Sequence, residues 1–566
     1  MGRERKDRLF NFRPIFFMAV FLCAGIAFCY SYIFYQVSLW WLALLFGLAT
    51  PFVFCGKSKL LKTAAAVFLL LVIFFLGMNC FGAQVSKYQN AAVYKGNHTV
   101  CGVLEKKLLG ERYSSLILTD IQVDDNKEDY KLIAYLPTAY CEEVQLFDKV
   151  ILYGNIQTNE SKLTGGVFSG HMFREGIKYT MPDAESCVVI GQEFKFFGGI
   201  RARIENVLYQ GMDRDAASVT IAVLTGNTSG IEKGLLNNIR YGGIAHIFAV
   251  SGLHVGALYA FCMLLTSKTG LKKVPKFVRF GLVAGVLLFY GGICGYSSSV
   301  LRATVLCLVG YAAKLIGVSV DKFETIGLAA ILVLLLSPAE LFGPGFQLSF
   351  LACLGIFLWK KPLEKWGNHI CDEVEKCTYA LILKGKNRTT VLGAKTGLAK
   401  SKQSQNGKLK EEKLITLWGQ VRNWLISFLS VSTATQIATA PVLLQTFGYL
   451  SGWSMLLNFF FIPFISAVFS VLLVFAAAAC IFPLSVAPIL LYVPNVVWSA
   501  VLLLFEAFDF SGFAIQNITL SIGAFICYYG GFSFLTDKWN LTEKEKKCYG
   551  ALLAFGFVFV VAVLNI

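Results

Sequence analysis

Charge is scarce in this chain. Asp, Glu, Lys and Arg make up only 15% of its 566 residues, against about 25% in ordinary soluble domains. Apolar residues take their place at 56%. Apolar runs of roughly twenty residues recur almost end to end, each long enough to cross a hydrocarbon core about 30 Å thick. No soluble core needs that many, so the composition specifies a membrane protein. Its sixteen cysteines include no C-x-x-C pair, which leaves zinc-binding and redox motifs without their spacing. Inside apolar runs, cysteine serves as a small hydrophobe. A signal cleavage site is also missing. The first apolar run, Pro14 to Tyr35, follows the basic leader Arg3, Arg5, Lys6 and Arg8. It is longer than a signal h-region and more spans follow, so it reads as a retained first helix.

The pattern divides the chain at residues 83 and 195. Segment 1–83 holds three spans, near 14–35, 39–55 and 63–83, with Lys57, Lys59 and Lys62 between the second and third. Basic flanks mark the cytoplasmic side, which puts the N-terminus in the cytoplasm and residue 84 outside. Residues 84–195 change period. Ser115–Thr119, Tyr130–Leu136 and Lys149–Gly154 alternate apolar and polar positions between Gly, Asp and Asn, the signature of short β-strands. About 110 such residues suit a small extracytoplasmic barrel or sandwich. Cys101, Cys141 and Cys187 lie in this segment, where an oxidising exterior permits one disulfide. Sequence cannot choose the pair; Cys101–Cys141 is the expectation taken here.

From 196 to 566 the chain is membranous again. Residues 216–226 are apolar but too short to cross, which suggests a re-entrant or interfacial half-helix. Ten candidate spans follow, near 244–267, 280–296, 300–316, 323–338, 345–360, 424–446, 453–480, 485–508, 514–535 and 548–565, making about thirteen in all. Segment 268–279 carries five Lys or Arg and no acid, and loop 361–421 carries twelve against six acids. Both therefore fall on the cytoplasmic side, as the parity of the spans also requires. Within the loop, the stretch around 400–410, rich in Ser, Gln, Asn and Gly, reads as a flexible cytosolic insertion.

The most informative stretch is Gly242-Gly-Ile-Ala-His-Ile-Phe-Ala-Val-Ser-Gly-Leu-His-Val-Gly256. Ionisable groups inside a membrane are costly and tend to face an internal cavity or pathway, and glycines there permit a broken helix. In an unbroken helix His246 and His254 would stand about 12 Å apart along the axis, too far to share one metal ion. Ser251 and His254 share a face at a spacing of three, which suits a nucleophile and its base. Yet Gly252 follows Ser251 without a G-x-S-x-G frame, and no acid is positioned nearby. Later spans add Arg302, Gln347, Ser349, Gln436 and Asn458. Arg302 could line a pathway or snorkel to the headgroups. Interhelical hydrogen bonding is the plainer role for Gln347, Gln436 and Asn458.

These residues carry a resemblance. Ala245–Gly256 resembles the signature of the ComEC/Rec-type competence protein family, and Ser298–Ala303, Phe346-Gln-Leu-Ser-Phe350 and Asn458 with Pro463 follow in the same order. Segment 84–195, ending in Gly165–Ile177, resembles that family's N-terminal barrel. The resemblance thus implies a polytopic α-helical membrane protein with an extracytoplasmic small β-barrel (oligonucleotide-binding-like) domain. It implies a channel in the bilayer of the cell membrane that passes single-stranded DNA during natural transformation. His246, Ser251, Gly252, His254, Arg302, Gln347, Ser349, Gln436 and Asn458 would line or support the path. A separate DNA receptor and a cytosolic uptake ATPase would be partners. Longer members continue into a metallo-β-lactamase-like nuclease, whereas this sequence stops after its last apolar run. Its only histidines are His98, His171, His246, His254 and His369, so the H-x-H-x-D-H cluster is absent. No metal, cofactor or catalytic residue is expected, and a separate nuclease would degrade the other strand. Segment 84–195 holds twelve Lys or Arg against fifteen Asp or Glu, a net charge of −3, although a phosphate-binding surface should be basic. Two other readings remain at this stage: a membrane hydrolase using Ser251 and His254, and a transporter of another anionic solute or polymer.

Overall fold

The computed structural model describes residues 13–35, 59–393 and 405–534, apart from short stretches at 109, 111, 142–143, 160–169, 194, 249, 269–273, 320 and 517–521. The chain forms two compact units. One contains Phe12–Ser349 with Phe460–Phe513, the other Phe350–Phe459 with the segment from Ala514. Seven helices among the described residues are long and apolar enough to cross a membrane. The expected spans at 39–55 and 548–565 lie outside the described residues.

The first unit opens with α1 (Pro14–Tyr35) and α2 (Lys59–Gln89). Small residues let membrane helices approach closely, and two glycines do so here. A Cβ on Gly25 would collide with the Phe74 carbonyl, and one on Gly77 would lie 2.5 Å from the Leu22 oxygen. The start of α1 is tied to α12 (Lys322–Leu336). The Arg13 guanidinium reaches Asp321 at 3.0 Å and lies 4.3 Å over the Phe323 ring, while the Phe16 amide donates to Glu324 at 3.0 Å. Asp321 also caps α12 by accepting from the Phe323 amide.

Helix α2 runs to Gln89, past the expected boundary at 84, because its last turn is gripped by the next domain. The Tyr88 hydroxyl donates to the Ile177 carbonyl at 2.8 Å, and the Lys178 ammonium sits 4.5 Å from the Tyr88 ring. That domain contains β1 (Lys95–Leu108), β2 (Tyr113–Val123), β3 (Asn126–Lys127), β4 (Lys131–Pro137), β5 (Asp148–Thr158), β6 (Ile177–Met181) and β7 (Ala184–Gln192), with α3 (Thr138–Cys141) and α4 (Gly170–Glu175). The order β1-β2-β4-β6-β5 closes on itself through β1–β5, with β4 and β6 parallel. Register shifts after Cys101 and Leu104 let the long β1 curl between β2 and β5. Alternating side chains, among them Val100, Leu104, Leu118, Leu152 and Met181, fill the interior. The expected small barrel is therefore present, with β7 added on the outer edge of β5.

The membrane part of this unit continues with α5 (Phe196–Gly211), α6 (Arg214–Thr225), α7 (Lys233–Tyr241), α8 (Ala245–Phe248), α9 (Gly252–Lys268), α10 (Lys276–Ile293), α11 (Ser298–Ile316) and α12. Helix α6 covers the short apolar run expected at 216–226. It is twelve residues long, buried from Ala216 through Thr225, and ends on Gly226 at φ 84°. Burial in protein is what makes so short a membrane helix tolerable.

The second unit is built on α13 (Pro344–Gly393) and α14 (Gln405–Phe447). The expected loop at 361–421 is largely helix, and the flexible stretch expected around 400–410 lies partly outside the described residues. Residues 361–393 and 405–421 are helical, and only 394–404 lie outside the described residues. Alternating charges support helix where a loop was read. Lys360 pairs with Glu364 four residues on, and Arg422 bridges Asp372 and Glu375 at 3.1 Å each. Helices α15 (Ser454–Ile481), α16 (Ala487–Ala507) and α17 (Ile522–Phe534) complete the described chain, with β8 (Tyr449–Ser451) paired to β9 (Ala514–Gln516).

Gly25→Val should force α1 and α2 apart and cost about 1–3 kcal/mol. A denaturant titration of the detergent-solubilised protein checks this, and an unchanged midpoint would contradict the close crossing.

Candidate functional site

The polar stretch is a broken helix. Helix α7 stops at Gly242, Gly243 takes φ 74°, and α8 lasts one turn before the chain unwinds ahead of α9. A helix start buried away from water must satisfy its free amides locally. Ser251 and His254 do this together. The Ser251 amide donates to His254 Nδ1 at 3.0 Å, and the Leu253 amide donates to Ser251 Oγ at 3.3 Å. This is a reciprocal capping box with histidine in the place of glutamate.

That geometry decides the role of the pair. Ser251 Oγ also lies 3.3 Å from Nδ1, but the Nδ1 lone pair already accepts a backbone N–H and is a poor base for the hydroxyl. With Nδ1 accepting, the hydrogen-bond pattern assigns the neutral ring's proton to Nε2. His254 is fully buried, its ring 4.8 Å from that of Phe469, and Nε2 has no partner among the described residues. An unsatisfied buried donor costs about 1–3 kcal/mol, so this nitrogen marks a place kept polar at the expense of stability.

Arg302 faces the same helix start. It is 8% exposed, so it does not snorkel to the headgroups. A Cβ on Gly252 would lie 3.0 Å from Arg302 Nη2 and 3.5 Å from Ala303 Cβ. Gly252 therefore leaves the space in which the guanidinium approaches the N-terminus of α9. His246 lies on the one-turn helix α8 just before the break, and its side chain is exposed. Among the described residues no three metal-ligating side chains converge.

The other sequence candidates fall into two groups. Gln347 Nε2 donates to the Leu341 carbonyl at 3.0 Å, which closes the turn before α13, and Ser349 is half-buried on the same helix. Gln436 and Asn458 meet in the second unit, where both amides donate to Ser454 Oγ, at 3.2 and 3.1 Å. Asn458 Oδ1 is buried with no partner among the described residues. The structure thus gathers Ser251, Gly252, His254 and Arg302 in one place, and Gln436 with Asn458 in another.

Cys101 and Cys141 are not joined; both thiols are free. Val100 fills the barrel core, so strand alternation turns Cys101 away from it, whereas Cys141 is fully buried there. Cys187 packs against that same core. Burial, with the nearby Cys141 thiol and Asp148 adding to it, pushes Cys187 up to about 11.

Sequence reading missed two polar contacts. Glu205 on α5 accepts from Asn227 Nδ2 at 2.9 Å, just past the end of α6. Glu340 lies in the one-turn 3-10 helix Pro338–Phe342 between α12 and α13. A carboxylate between two prolines at the end of an apolar run was the available signal for Glu340.

A family model described as "Competence protein" matches residues 223–541. ComE operon protein 3 of Bacillus subtilis is 26% identical over 316 residues, covering 53% of this chain and 39% of that protein. An uncharacterized MG316 homolog of Mycoplasma pneumoniae is 32% identical over 131 residues, covering 21% of this chain and 31% of that protein. The chain thus spans well under half the length of either relative. No solved structure matches it.

If Ser251 and His254 form a cap, Ser251→Ala and His254→Ala should each cost about 1 kcal/mol of stability, and the double variant less than the sum. A serine-directed phosphonate probe should leave the protein unlabelled. Labelling that disappears in Ser251→Ala would contradict the cap and restore a nucleophile.

Proposed function

The chain belongs to the competence protein family, and from that membership we propose that it forms the path by which single-stranded DNA crosses the cell membrane in natural transformation. The observation that carries this reading is the broken helix at Ser251 with Arg302 against its start. Helix N-termini carry partial positive charge and attract anions, and transporters use discontinuous helices of this kind at their substrate sites. A guanidinium 3.0 Å from the Cβ position of Gly252 adds a full positive charge there. The combination favours phosphate, and a succession of phosphates is a nucleic-acid backbone. His246, Gln347, Ser349, Gln436 and Asn458 would line or support the path.

The proposed sidedness is supported by the contacts of one helix. Asp321, at the start of α12, meets Arg13 at the start of α1. The turn after α12 meets the barrel, where Arg174 lies 3.8 Å from Glu340. Helix α12 thus stands between the start of α1 and the barrel, in keeping with a cytoplasmic N-terminus and an extracytoplasmic barrel. With a net charge of −3 over residues 84–195, the barrel is not the main electrostatic attractor for DNA. It serves instead as an entrance piece attached to the helices. A separate DNA receptor, a nuclease and a cytosolic uptake ATPase would complete the machinery. The hydrolase alternative is disfavoured by the occupied Nδ1 of His254.

Deletion of the gene from a transformable host should abolish transformation. Arg302→Ala or His254→Ala should lower it at least about tenfold, with the protein still present in the membrane. Normal transformation in the deletion strain would overturn the proposal.

A further inference from the structure

The turn between α12 and α13 is held from several sides. Phe342 stacks with Tyr30 of α1 at 4.3 Å and meets Phe81 of α2 at 5.7 Å, while the Ala339 amide donates to Gln84 of α2 at 3.2 Å. From the barrel, Arg174 reaches in to Glu340 at 3.8 Å. The Glu340 carboxylate also faces Ser298, which packs against the same turn beside Gly345. Two glycines make room for these partners. A Cβ on Gly343 would lie 3.0 Å from Arg174 Cδ, and one on Gly345 would lie 3.3 Å from Ser298 Oγ. Neither glycine has a positive φ, so space rather than backbone freedom explains both.

Ser298 is the first residue of α11, and Ser297 before it makes no side-chain cap. A carboxylate beside a helix start is favoured by the partial positive charge there. Arg302 lies four residues on, on the same face and about 6 Å further along the axis. We propose that Glu340 is a positioning residue through which the barrel fixes the start of α11 and, with it, the placement of Arg302 against Gly252. The inference rests on the pathway reading of Arg302. It makes the barrel part of the path's internal geometry, in addition to any contact the barrel makes with DNA.

The test is a double-mutant cycle in the full chain, scored as DNA uptake per membrane-resident protein. Glu340→Gln and Arg174→Gln should each lower uptake about fivefold or more when Arg302 is present. In an Arg302→Lys background, itself impaired, each should change uptake by less than about twofold, because the group they position is already altered. A purely structural role would instead lower the amount of protein and multiply with Arg302→Lys. If Glu340→Gln fails to accumulate, Arg174→Gln carries the test, since it removes only the barrel's side of the contact. Unchanged uptake in both variants, or full multiplication with Arg302→Lys, overturns the inference while leaving the pathway reading in place. An Arg302→Lys variant with normal uptake would overturn the inference alone, because lysine keeps the charge on which the pathway reading rests.

Discussion

A helix interrupted inside a membrane leaves backbone amides with no water to satisfy them, and the rest of this structure follows from how that demand is met at Ser251. The Ser251 amide takes His254 Nδ1 as its acceptor, and the Ser251 hydroxyl takes the Leu253 amide. Once His254 is committed in this way, its Nε2 is left buried and polar. Once Gly252 is the first residue of α9, Arg302 can approach the start of that helix. The pieces are mutually dependent. A larger residue at Gly252 would displace the arginine, and a helix that ran unbroken would have no charged end for it to share.

The same economy governs the attachment of the barrel. Helix α2 continues to Gln89, where Tyr88 is bonded to Ile177 and covered by Lys178. On the other side, Arg174 and Glu340 join the barrel to the turn before α13. Two attachments at separate points hold a small domain more firmly than one flexible linker would. Under the proposed function, a domain with a net charge of −3 need not attract the polymer itself if it holds the helices that do.

Much of this was legible in the residues. The period-2 runs at 115–119, 130–136 and 149–154 became β2, β4 and β5, and the short apolar run at 216–226 became the buried helix α6. The glycine-rich stretch at 242–256 was legible as a break, because glycine and ionisable side chains are costly in a continuous span. Other features depended on contacts that spacing does not encode. A spacing of three for Ser251 and His254 fits both a catalytic pair and a cap, and only the direction of the Ser251 N–H separates them. Residues 361–393 and 405–421 read as loop because their charge and polarity are high, yet ion pairs such as Arg422 with Asp372 and Glu375 hold them in helices. Glu340 was invisible as a functional residue because its neighbours, Arg174 and Ser298, are 166 and 42 residues away in sequence.

The central claim is that a nucleic-acid strand passes the start of α9, and trapping a strand in transit addresses it most directly. A photo-crosslinking amino acid placed at Val250 in the full chain, irradiated while cells take up labelled DNA, should yield a covalent protein–DNA adduct. The same group at Leu282, on the outward face of α10 where the side chain is 50% exposed, should yield none. An adduct at Leu282 but not at Val250, or no adduct at Val250 during active uptake, would contradict the account.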